Sequence, residues 1–73
     1  MAQSVWGLQA LIATECSPLD NGDFVKELAK AANGVVTGEN LPQVATHVLL
    51  AAYRFANHLG IEADAELREH LRK

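Results

Sequence analysis

The sequence predicts an all-α fold, a compact four-helix, bundle-like domain with a long central third helix, completed by dimerisation. Three observations predict it. The composition is 49% hydrophobic but only 5% aromatic, so the core must be built from Ala, Leu and Val, which favours helices over a β-sandwich. Apolar residues recur at helical spacing in four successive segments,. Pro18, Gly34 and Gly60 divide those segments,. At 73 residues the chain makes one small helical domain, residues 1–73, without room for a second.

The first helix is predicted from Ser4, its N-cap, to about Glu15. Val5, Leu8, Leu11 and Ile12 form its stripe, widened by Trp6, Ala10 and Ala13,. Cys16-Ser17-Pro18 ends it. Pro18-Leu19-Asp20-Asn21-Gly22 carries turn chemistry, and Asp20 or Asn21 caps a second helix near Gly22–Ala32,. Its expected core positions are Phe24, Val25, Leu28, Ala31 and Ala32, and Asn33-Gly34 supplies its stop. Gly34 to Glu39 reads as an ordered loop, with Val35 and Val36 sealing one end of the core.

Asn40 or Leu41 opens the third helix, with Pro42 in the first turn, where a missing N–H costs nothing,. Gly60 closes it after Leu59 in the place a left-handed C-cap prefers, and Ile61 follows as an anchor. Val44, Val48, Ala51, Phe55 and Leu59 make one stripe, while Leu49, Leu50, Ala52, Tyr53 and Ala56 cover much of the remaining circumference. A helix apolar nearly all round must be enclosed by others. A fourth helix, Asp64 to about Arg72, is expected to turn Leu67 and Leu71 inward and the pairs Asp64–Arg68 and Glu69–Lys73 outward,.

In a chain this short, apolar burial and ordering entropy nearly cancel. Self-association is therefore expected, and a homodimer sharing Leu49, Leu50, Ala51 and Phe55 would cover the surplus surface of the third helix. The net charge of −3 argues against nucleic acid and anionic membranes, which need a concentrated basic surface. A single cysteine, Cys16, forms no intramolecular disulfide, and the first residues carry no signal-peptide pattern, so the expected location is cytoplasmic. Gln43, His47, Arg54, Asn57 and His58 interrupt the most apolar stretch, which reads as a buried helix rather than a membrane span,.

The candidate chemistry is sparse. His47 and His58 return to nearly one azimuth but stand about 16 Å apart along the helix, so one ion cannot take both within a chain. No metal is expected. Arg54, amid the apolar run Val48 to Ala56, shares a polar stripe with His47 and His58. That stripe is either the solvent face, with Arg54 snorkelling, or a cleft where Arg54 grips a carboxylate or phosphate. Cys16, at a helix C-terminus beside Glu15, is a poor nucleophile. Asp23 and Glu27 at i,i+4 read as a solvated face. Glu27 to Val35 has the look of the first helix and turn of a helix-turn-helix. However, Lys30 stands where a small residue is required, and the next helix is poor in base-reading side chains,.

From Val44 to Arg72, the junction Asn57-His58-Leu59-Gly60-Ile61-Glu62 and the amphipathic Ala65-Glu66-Leu67-Arg68-Glu69-His70-Leu71 follow an apolar helix. This segment resembles the third and fourth helices of the all-α nucleoside triphosphate pyrophosphohydrolases of the MazG kind. The resemblance implies a nucleotide-binding scaffold. It also places Val44 and His47 where that family carries a magnesium-binding Glu-x-x-Asp pair, so it implies a scaffold with the metal site erased, in which Asn57 carries over.

No complete catalytic constellation is present, and neither a catalytic residue nor a cofactor is expected. The function expected is a non-enzymatic helical interaction module, regulatory or adaptor in kind, that binds another protein. The alternative is a nucleotide-binding or nucleotide-hydrolysing relative of the pyrophosphohydrolases. Arg54, His47, His58 and Asn57 are the candidate binding residues.

Overall fold

The structure, a computed structural model, describes residues 7–72. Four helices, α1 (Gly7–Glu15), α2 (Asn21–Thr37), α3 (Leu41–Leu59) and α4 (Ala63–Leu71), account for most of these residues, and no strand occurs among them. The longest is α3, and α1, α2 and α4 each pack on it. Ser4, Val5 and Trp6, read as the start of the first helix, lie outside the described residues, as does Lys73.

Local chemistry explains the helix ends. The Asp20 carboxylate accepts the Asp23 N–H at 2.8 Å, capping α2,. Pro42 sits in the first turn of α3. Gly60 (φ 74°) ends that helix in a Schellman arrangement, its N–H donating to Asn57 O while the Ile61 N–H donates to Ala56 O,.

Asn33-Gly34 does not stop α2. The helix runs through both to Thr37 and ends at Gly38 (φ 75°), whose N–H donates to Gly34 O. Gly34 instead serves the approach of α3, because a Cβ there would lie 2.9 Å from Val44 Cγ2,. Val35 and Val36, read as a loop sealing the core, are therefore helical and exposed.

The buried apolar residues, Ile12, Leu19, Ala31, Ala51 and Ala56, are few and mostly small. The α2–α3 hairpin is antiparallel: Phe24 stacks on Phe55 with ring centroids 4.2 Å apart, Glu27 meets His47, and Gly34 meets Val44. Val25, Leu28 and Ala32, expected in the core, are exposed, because α2 meets α3 along Phe24, Glu27, Ala31 and Gly34. On α1 the inward pair is Gln9 and Ile12, and Leu8 and Leu11 face outward.

Leu67 and Leu71 were expected inward on the last helix and are exposed, because only the start of α4 is partly covered against α3. Asp64 accepts the Tyr53 hydroxyl at 2.9 Å in place of the expected pairing with Arg68. Arg72 pairs with Glu69 at i,i+3.

Candidate functional site

The polar stripe predicted on α3 is divided among separate neighbours. His47 Nε2 lies 2.7 Å from Glu27 Oε1. The two atoms are in close contact without meeting hydrogen-bond geometry,. Arg54 Nε donates to Ser17 O at 2.8 Å, and Arg54 O accepts the Leu19 N–H at 3.2 Å. Arg54 thus clasps the α1–α2 connection and inserts Leu19 into the core. His58 is exposed, 6.4 Å from the Phe55 ring.

Asn57 is engaged by Gln9, which among the described residues is the one buried polar side chain, at 1% exposure. Gln9 Nε2 donates to Asn57 Oδ1 at 3.0 Å and to Ile61 O at 2.7 Å, and Gln9 Oε1 accepts the Ala63 N–H at 2.7 Å. Asn57 Nδ2 in turn donates to Gln9 O. One amide therefore ties α1 to α3 and to the turn leading into α4, and each of its polar atoms is satisfied.

A cleft of about 340 Å³ opens where α2 and α3 converge, lined by Lys30, Ala31, Asn40, Gln43, Val44 and His47. Its volume is at the lower end for small-molecule sites, and Lys30 and His47 are among its lining residues. Within the cleft Val44 packs on Gly34, and His47 faces Glu27. A divalent ion beside a triphosphate needs several hard oxygen ligands. Among the described residues no three His, Cys, Asp or Glu side chains converge on a point.

The hairpin also carries an apolar side. On α2 the inward row Phe24, Glu27, Ala31, Gly34 has a parallel row one residue on: Val25, Leu28, Ala32, Val35. On α3 the inward Val44 and Ala51 likewise have Ala45 and Ala52 beside them, with Leu41 and Leu59 extending that row. A shift of one residue is a turn of about 100°. In an antiparallel hairpin, equal turns on both helices point to the same side.

The two rows therefore share one side of the hairpin, and the opposite side carries α1 and the cleft. Val25, Leu28, Val35, Leu41 and Leu59, with Leu49 at the edge beside α4, are 40–62% exposed. An apolar groove of about 220 Å³ continues this side toward α4 between Leu49, Ala52 and Leu67.

Of the residues expected at a dimer contact, Ala51 is buried within the single chain and Phe55 is stacked on Phe24. Leu50 is half-buried, and Leu49 alone is exposed. Comparison of the chain with known protein families, with curated proteins and with solved structures gave no match.

Sequence reasoning did not single out Gln9 or the contact of Glu27 with His47, and it placed Val25, Leu28, Ala32 and Val35, the outer row of α2, in the core. A signal existed for Leu19, which occupies the N′ position of a hydrophobic staple before the Asp20 cap, with Phe24 at N4,.

Proposed function

We propose that this chain is a non-enzymatic helical interaction module, a regulatory or adaptor protein whose open hairpin side takes helices from a partner. The observation that carries this reading is the pair of apolar rows on one side of α2 and α3, which nothing among the described residues covers. Isolated exposed leucines are ordinary, whereas the largest contiguous apolar patch on a monomer, about 300–600 Å², often serves binding. Val25, Leu28 and Ala32 stand at i, i+3 and i+7, the spacing that puts residues on one face of a helix,. Self-association completes the bundle in the same way. A reducing cytoplasm suits the single free Cys16,, and no helix among the described residues is long and apolar enough to cross a membrane.

The test is capture from a cell extract by the wild-type chain and by Leu28→Glu. Retention of one defined protein by the wild type and its loss from the variant is the expected result. Equal capture by both would refute the assignment of the face.

The cleft beside Lys30 favours the second reading, a nucleotide-binding relative of the MazG-type enzymes with a degenerate metal site. Magnesium-dependent release of pyrophosphate from a nucleoside triphosphate panel, abolished by a chelator, would establish that reading in place of the first. The contact of His47 with Glu27, where a cation would need carboxylates, leads us to expect no turnover,.

A further inference from the structure

Resting on the interaction-module reading, we infer that the occupant of the open hairpin side is a second copy of this chain. The two copies would pair α2–α3 against α2–α3 about a two-fold axis, forming a four-helix core with both α1 helices outside.

Three features select a second copy over a single foreign helix. The first is width: both helices of the hairpin present their rows, and helices pack 8–10 Å apart. The face is therefore two helices broad, and another hairpin matches it where one helix fills only the central furrow. The second is self-complementarity, since a two-fold interface sets the same patch against itself. Val25, Leu28, Ala32 and Val35, with Leu41, Ala45, Ala52 and Leu59, include no charged or amide side chain. Like meets like without repulsion, and Ala32, Ala45 and Ala52 leave room for the larger residues of the other copy.

The third feature is area. Burying a Leu or Val removes roughly 100 Å² of apolar surface at the usual transfer coefficient. The six half-exposed Leu and Val side chains thus keep roughly 300–400 Å² in water, before the alanines and Leu67 are added. A standard interface buries about 800 Å² per partner, and the face supplies much of its apolar centre. The polar cleft and Lys30 lie on the opposite side, so pairing leaves them accessible.

The experiment is sedimentation equilibrium of the full chain from about 1 to 200 µM, with circular dichroism on the same samples. The wild type is expected at twice its 7.9 kDa. Ala45→Glu replaces an exposed, small helical residue with a good helix former, so the monomer should still fold. Two carboxylates brought into one apolar interface should weaken the dimer on the order of 100-fold. Ala13→Glu, on the exposed side of α1, should leave the mass unchanged.

A wild type of 7.9 kDa throughout, or an Ala45→Glu chain that remains dimeric, overturns the proposal. A titration of the isotope-labelled chain with a synthetic amphipathic Leu-rich helix separates the two levels. Saturable shifts at Leu28, Ala45 and Leu59 in a monomeric chain would keep the interaction module and reject the dimer. A monomeric chain without such shifts rejects both.

Discussion

Gln9 is the position where a single substitution should reveal how this small fold is held. Truncation by Gln9→Ala removes the bonds to Asn57 Oδ1, Ile61 O and the Ala63 N–H. At a net value of about 1 kcal/mol for each neutral hydrogen bond, the loss is about 3 kcal/mol. For a domain of this size that lowers Tm by about 15 °C. Gln9→Glu is the sharper control. Its carboxylate still accepts the Ala63 N–H but opposes the Ile61 and Asn57 oxygens with negative charge, so folding should raise its pKa. A raised carboxyl pKa means that stability is fully present below the unfolded value, near pH 4, and is lost as pH rises through the folded one. Gln9→Glu should therefore be closer to wild type at pH 4 than at pH 7. Urea unfolding followed by circular dichroism reads both variants. A loss below about 1 kcal/mol for Gln9→Ala would show that the buried amide is not the tie described here.

Gly34→Ala should destabilise by about 1 kcal/mol, because the overpacking against Val44 outweighs the gain in helix propensity,. The same change in a Val44→Ala background should stabilise, and a stabilised single variant would refute the close approach. Arg54→Ala should cost about 1 kcal/mol in urea unfolding, through the Ser17 carbonyl contact in a partly solvated setting,. Arg54→Lys, which lacks the Nε donor, should not restore it; unchanged stability in both would return Arg54 to solvent. Tyr53 is the only tyrosine, so ultraviolet absorbance reports its ionisation alone. The hydrogen bond to Asp64, then burial and the Asp64 charge, raise its pKa above 10.0, and Asp64→Asn should bring the midpoint back toward that value. Its contribution to stability is complete below pH 10 and falls as pH climbs through the raised pKa, a slope that Tyr53→Phe should remove.

What was legible in the sequence is what local chemistry controls. Asp20 caps α2, Pro42 sits in the first turn of α3 and Gly60 ends it, because each effect acts within one turn of backbone,. The all-helical class and the length of α3 follow from the spacing of apolar residues in the same way. Gly34 shows the limit. A glycine after Asn33 is compatible with a helix end and with a helix interior, and the approach of Val44, ten residues on, decides between them.

Which face turns inward was decided only by tertiary structure. Hydrophobicity alone places Leu8 and Leu11 in the core of α1, yet Gln9 takes the buried position, because its partners, 48 to 54 residues distant, supply the acceptors and the donor an amide needs. Leu67 and Leu71 are periodic but lack cover, since only the start of α4 is partly covered against α3. The polar stripe of α3 was visible as a pattern, whereas the meeting of His47 with Glu27 and of Arg54 with Ser17, and the exposure of His58, were not. Helical periodicity states which residues share a side of one helix, and only the packing of neighbouring helices determines what that side meets.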